Sequence, residues 1–461
     1  MKLSRRIAEW VASVDYSKLP ADVVEEVKKR VVDTLGVALG AFNEEPVRIS
    51  RWIAASTAGG RIAATVWGTP HRSAADHATF ANGCAARYFD FNDTYLSKEA
   101  LHPSDTISAV FAAAEIARAD GRKVIEGIVV AYEVAARLAD AYSIRGRGWD
   151  HVVYIAIATA AGAAKVLGLD VDKIEHALNL AVNNYWSLRQ TRAGELSMWK
   201  GCTAANSARN GLFSALLAWR GMTGPSPVFE GEFGAFKVAL CGDKFDIPVM
   251  GGEDGAPYKV LETSIKYWPV EYHAMSAVEA ALDIVREIGT VKPEDVESIE
   301  VKTFDVAYKI IVKDPEKWDP KTRETADHSL PYIVAAALID GKVWLDTFRP
   351  ERYLAEDVRK LMKKMTVTVD PEHDALYPQG IKNTIRVRLK DGRVVEKSST
   401  YPPGHFKNPL TREQVEDKFW RLVKGKVEEY QAREALKLAW DLEKRESLDA
   451  ILGKLRVIGE W

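Results

Sequence analysis

Apolar residues recur at helical spacing through most of the first 240 positions, and the elements they predict are nearly all helices. Residues 23–41 follow Pro20, a residue suited to a helix's first turn. Helices over 106–118 and 124–142 are separated by the turn Asp120-Gly121. Residues 151–167 are apolar nearly all round, which predicts a central buried helix whose Ala and Gly positions let neighbours approach closely. Helices over 172–183 and 203–219 complete this half. Gly and Pro then accumulate at 242–268, and the pattern changes. Beyond it, a helix is expected over 276–288, with a capping box in Ser276 and Glu279. A strand over 297–308, helices over 327–339 and 357–364, and a short strand over 365–369 follow. Residues 384–389 and 394–399 flank Asp391-Gly392, a strong hairpin signal. The last 50 residues are charged and helical. The expectation is a mainly α protein, with an all-α domain over 1–265 completed by 405–461. A smaller α+β domain spans 266–404.

Composition narrows the function more than the fold. The chain has 461 residues, 47% hydrophobic and 28% charged, an ordinary balance with ample material for a large core. A net charge of −2 supplies no global field for nucleic acid or an anionic membrane, so an anionic substrate needs a local cationic cluster. No apolar run approaches the roughly 18 residues of a membrane helix, and no targeting segment stands out, so the cytoplasm is the expected location. The three cysteines (Cys84, Cys202, Cys241) are widely spaced, which argues against a disulfide framework or a zinc site. Only four glutamines accompany abundant Lys, Arg and Glu, a thermophile-like balance.

Candidate chemistry concentrates in R-Y-F-D-F-N-D-T-Y-L-S-K-E-A-L-H-P-S-D-T, residues 87–106. Polar groups set between alanine-rich apolar segments must be paired, solvated in a cleft or used. If locally helical, Asp90, Asp93 and Thr94 share one face of a turn. His102 precedes Pro103 and is biased toward extended backbone, with a helix starting at the proline. The bland alternative is a capped loop with aspartates in turn roles. His151 follows Asp150, a plausible N-cap, and the helix dipole there favours a neutral imidazole; a surface histidine is the alternative. Lys200 opens a helix, where the dipole disfavours a cation, so an anion from protein or substrate is expected nearby; the alternative is a snorkelling surface lysine. Arg189 and Arg192 could clamp carboxylates or lie on a solvated loop. Lys266 and His273 fall where the helical half gives way to the smaller unit, and His328 lies within the latter. Walker, dinucleotide, H-E-x-x-H and G-x-S-x-G signatures are missing, which leaves nucleotide and serine-nucleophile chemistry unsupported.

F-D-F-N-D-T-Y with L-H-P-S-D, then W-D-H-V-V-Y-I-A-I-A, S-L-R-Q-T-R and W-K-G-C-T-A-A-N-S-A-R resemble the MmgE/PrpD family. K-Y-W-P-V-E-Y-H-A-M-S-A-V-E-A-A, A-D-H-S-L-P-Y-I-V-A and Y-P-P-G-H continue the resemblance in order to about residue 405. It implies a homodimer with a large helical domain, a smaller lid similar to chorismate mutase, and an active site in the cleft between them, with no metal, iron–sulfur cluster or other cofactor. The branch it resembles most removes water from 2-methylcitrate to give 2-methyl-cis-aconitate in propionate breakdown. Carried onto matching positions, the functional groups are Asp90, Thr94, His102, His151, Lys200, Lys266 and His273. Asn92, Asp93, Ser104, Arg189 and Arg192 are expected substrate contacts. Trp149-Asp150-His151 departs from the glycine-aromatic-histidine order of many relatives. Rival readings are citrate dehydration, cis-aconitate decarboxylation, epimerisation of iminodisuccinate, an iron–sulfur hydratase and a non-catalytic helical dimerisation scaffold.

Overall fold

In the computed structural model, which describes residues 1–459, the chain divides into two compact units. The larger comprises Met1–Thr191, Gly201–Thr263 and the chain from Leu410 onward; the smaller comprises Arg192–Lys200 and Ser264–Pro409. The short stretch Arg192–Lys200 thus belongs with the smaller unit, although it lies far from it in sequence.

The larger unit is a helical bundle built around Val152–Val166, every residue of which is buried. This helix packs against Gly121–Ala141, Thr203–Trp219 and Val171–Asn184. Small residues set the spacing. A Cβ on Gly162 would stand 2.7 Å from the Gly127 carbonyl, and one on Gly211 would stand 2.4 Å from the Ala156 carbonyl. The expected helices appear as Ala21–Gly40, Ile107–Ala117, Gly121–Ala141, Val152–Val166, Val171–Asn184 and Thr203–Trp219. The charged C-terminal stretch packs back on the bundle: Arg412–Val423 lies along Ala21–Gly40, with Leu422 and Phe419 seated over Gly40 and Gly36. The almost wholly helical expectation needs one correction, since Ala63–Thr65 and Arg72–Ala74 form a small antiparallel pair.

The smaller unit carries a four-stranded mixed sheet in the order Met365–Val369, Val296–Thr303, Asn383–Leu389, Val394–Ser399. The first pairing is parallel and the other two antiparallel, the last being the hairpin over Asp391-Gly392. Met275–Ile288 covers one face of the hairpin strands and packs on the apolar helix Leu330–Asp340. Two local expectations fail here. The strand predicted over 297–308 ends at Thr303, and Asp305–Ile311 turns helical, because V-A-Y-K-I-I carries apolar residues at helical spacing. Ser276 makes no capping box: the helix already runs from Met275, and the Ser276 hydroxyl donates to the Ile381 carbonyl. Among the described residues, no helix is long and apolar enough to cross a membrane.

Candidate active-site groups

In the larger unit, Ala75–Arg87 ends just before the polar cluster, and the chain leaves it through Asp90 at φ 51°. A left-handed aspartate is uncommon and needs holding in place. The Arg87 side chain does so through a buried ion pair with Asp90, while its Nε lies 3.8 Å from Asp105. Asp90, Asp93 and Thr94 therefore do not share a helical turn; Asp93–Thr94 is extended. An antiparallel bridge between Tyr95 and Leu101 folds the chain back and returns His102 to the side of Thr94. His102 is extended as expected (φ −122°), and Pro103 opens a short turn leading into Ile107–Ala117.

Two kinds of group emerge from this loop. Asn92, Asp93 and Ser104 knit it together: Asp93 accepts from the Ser104 hydroxyl at 2.6 Å and its amide at 3.0 Å. Asn92 donates to Ser104 and Asp105 at 2.9 and 3.0 Å. Asp93 also lies 3.9 Å from the buried Arg30 guanidinium. Burial with this bonding makes the three a scaffold around the loop. Thr94, His102 and His151 are the second kind. The His102 ring Nδ1 is 2.6 Å from the Asp93 carbonyl and 3.2 Å from the Thr94 hydroxyl. A carbonyl only accepts, so the Nδ1 carries the proton and Nε2 is the basic nitrogen of the neutral ring. His151 Nδ1 stands 3.1 Å from the fully buried Asp150 carboxylate. The two imidazoles meet edge to face with centroids 5.6 Å apart. Asp150 is not the helix N-cap; the helix begins at Val152 with His151 in the cap position, and Asp150 serves the ring instead.

In the smaller unit the expected cations are buried. Lys200 and Lys266 are each 1% exposed, which removes the snorkelling reading of Lys200. Its anion is a protein one: Lys200 Nζ lies 3.6 Å from Asp327, which also pairs with Arg323 at 3.1 Å and with His328 Nδ1 at 2.6 Å. Burial pushes the Asp327 carboxyl up, but Lys200, His328 and Arg323 outweigh it and hold the group below the usual aspartate range. Burial likewise pushes Glu271 up, and it is overcome by His273, His328 and Lys266. Lys317, also buried, is pushed down by desolvation, with Asp327 offsetting this only partly against Lys200. His273 Nδ1 is 2.7 Å from Glu271. Arg192 donates to the Lys200 carbonyl at 3.4 Å within this unit, whereas Arg189 belongs to the larger one.

Four histidines thus share one design, with Nδ1 against an oxygen acceptor. Three of those acceptors, Asp150, Glu271 and Asp327, were not singled out from sequence as partners, although each precedes its histidine by one or two positions. Arg87, Asp105, Lys317 and Arg323 were not singled out, although Arg87 and Arg323 stand three and four positions before the aspartates they pair with. In the smaller unit, the carboxylate partners of His273 and His328 also feel Lys266, Lys200 and Arg323. Cys84 and Cys202 share an apolar cluster with Ala205, while Cys241 is exposed.

Residues 5–248 match the MmgE/PrpD N-terminal domain and residues 268–444 the MmgE/PrpD C-terminal domain. The chain belongs to the MmgE/PrpD family, a family of enzymes. It is 28% identical to the mitochondrial 2-methylcitrate dehydratase of Yarrowia lipolytica, across 94% of this chain and 86% of that one. It is 32% identical to the 2-methylcitrate dehydratase of Cupriavidus necator, across 74% and 73% respectively. The cis-aconitate decarboxylase of Mus musculus is 27% identical across 90% of this chain and 86% of its own.

Proposed function

We propose that this chain removes water from 2-methylcitrate to give 2-methyl-cis-aconitate, with protein side chains as acid and base. A base takes the proton alpha to a carboxylate, the carbon–carbon double bond forms, and the neighbouring hydroxyl leaves as water after protonation by an acid. The observation that carries the reading is the edge-to-face pair of His102 and His151, each ring with its Nδ1 against an oxygen acceptor. His102 and His151 are the proposed acid and base, with Thr94 hydrogen-bonding substrate and Asp90 holding the loop around them. Lys200, Lys266, Arg189 and Arg192 are the proposed charge partners of a trianionic substrate, and His273 is a further proton-transfer group. Dehydratase names among the relatives support this choice over decarboxylation. The same reading makes the protein a cytoplasmic homodimer serving propionate breakdown, its oligomeric state open to sedimentation analysis.

The test is His102→Ala. The variant is expected to keep the wild-type circular dichroism spectrum and to lose about 10²–10⁴-fold in turnover of 2-methylcitrate. A folded variant with near-wild-type turnover removes His102 from the mechanism.

A further inference from the structure

Glu271 and His273 are bound to one another more completely than a helix cap requires. The Glu271 carboxylate accepts from the His273 amide at 2.9 Å, while its other oxygen stands 2.7 Å from the ring Nδ1. Glu271 is anchored in turn, since its own amide donates to the Asp327 carbonyl at 2.8 Å. The His273 carbonyl accepts from the Asn383 side chain at 2.9 Å. The imidazole packs beside the stacked pair Phe304 and Tyr377, with centroids 5.4 and 5.6 Å away. His273 is buried, and its Nε2 has no hydrogen-bond partner among the described residues.

A neutral imidazole has one N–H and one lone pair. A carboxylate can only accept, so the N–H is at Nδ1 and the lone pair at Nε2. Leaving that nitrogen buried and unpaired is unfavourable, and natural cores rarely keep such a group without a use. Backbone and Nδ1 are fixed, two aromatic rings that stack on each other pack on one side of the imidazole, and Nε2 remains for a ligand or a proton. We propose that Glu271 is a positioning residue, which sets the tautomer and orientation of His273 so that Nε2 exchanges a proton with the substrate. This rests on the hydro-lyase reading. Glu271 touches no reacting atom; it acts through the ring, as a carboxylate does when it holds an imidazole in one tautomer. The competing possibility is that Glu271 merely caps the Tyr272–Ala274 turn.

Glu271→Gln separates the two, because glutamine keeps the shape and an accepting oxygen but loses the charge. With 2-methylcitrate as substrate, kcat is expected to fall about 10–100-fold, the range for carboxylate partners of functional histidines, with KM little changed. The imidazole limb of the kcat/KM profile is expected to move to lower pH, since imidazolium loses its neighbouring carboxylate. Glu271→Asp restores part of the rate. Substrate-free 15N NMR of histidine-labelled wild-type protein is expected to show His273 with its proton on Nδ1. Wild-type kinetics with an unshifted limb in Glu271→Gln overturns the proposal. If that variant does not fold, the wild-type spectrum decides: a proton on Nε2 overturns it equally. Absence of 2-methylcitrate turnover by the wild type would fell the hydro-lyase reading, while the spectrum would still judge the Glu271–His273 pair.

Discussion

One side chain and one ion pair show how burial and charge trade off in this molecule. His405 is 1% exposed, its Nδ1 accepts from the Lys407 amide at 3.1 Å, and Phe406 stacks on it. Burial, with Lys407 nearby, pushes the imidazole down to about 4 from 6.5. A histidine kept neutral in the fold is protonated first in the unfolded chain. Its contribution is therefore complete above pH 6.5 and is lost as pH falls toward 4, up to about 3 kcal/mol. His405→Gln is expected to flatten the fall in urea-unfolding free energy across that window; an unchanged pH slope contradicts this. Lys200 and Asp327 make a different case, a buried pair within a larger cluster. Lys200→Met and Asp327→Asn should each destabilise, and the double variant should lose less than the sum, with a coupling of roughly 0.5–3 kcal/mol. Strict additivity would show that the pair does not act as one.

At the level of elements, the bundle depends on glycine at helix crossings. Gly211→Ala sets a methyl 2.4 Å from the Ala156 carbonyl and 2.7 Å from Thr159. Overpacking there should cost about 1–3 kcal/mol, outweighing the ~1 kcal/mol gain in helix propensity. Gly146→Ala, where a methyl meets open space, is the control and should shift stability by about 0.5 kcal/mol at most. Equal urea midpoints for the two variants would count against close helix approach. The long helices were legible because hydrophobic periodicity reports burial directly: 151–167 was expected as a central helix and is buried throughout as Val152–Val166. The break inside 297–308 was not, since V-K-T-F-D-V-A-Y satisfies both periods until tertiary pairing ends the strand at Thr303. The same distinction governs the site. His102, His151, Lys200 and His273 stand in recognisable segments, but Arg30 beside Asp93 and Lys200 beside Asp327 arise from folding that no local window contains. Nor did spacing reveal that Asn92, Asp93 and Ser104 bond to one another, because helical geometry was the wrong frame for a loop bridged at Tyr95 and Leu101.

Across the whole molecule, a near-neutral chain concentrates charge where it is needed. The net charge is −2, yet the smaller unit brings Lys200, Lys266, Lys317 and Arg323 into one region against Glu271 and Asp327. The chain belongs to the MmgE/PrpD family, and relatives similar to it are named 2-methylcitrate dehydratase and cis-aconitate decarboxylase. Those two names differ in substrate and in the bond broken, C–O in one and C–C in the other. The most direct measurement is therefore a product analysis by proton NMR of purified protein incubated separately with 2-methylcitrate, citrate, cis-aconitate and iminodisuccinate. The expected result is 2-methyl-cis-aconitate from 2-methylcitrate, formed faster than product from any other acid. An inert 2-methylcitrate sample beside one in which cis-aconitate loses carbon dioxide would contradict it.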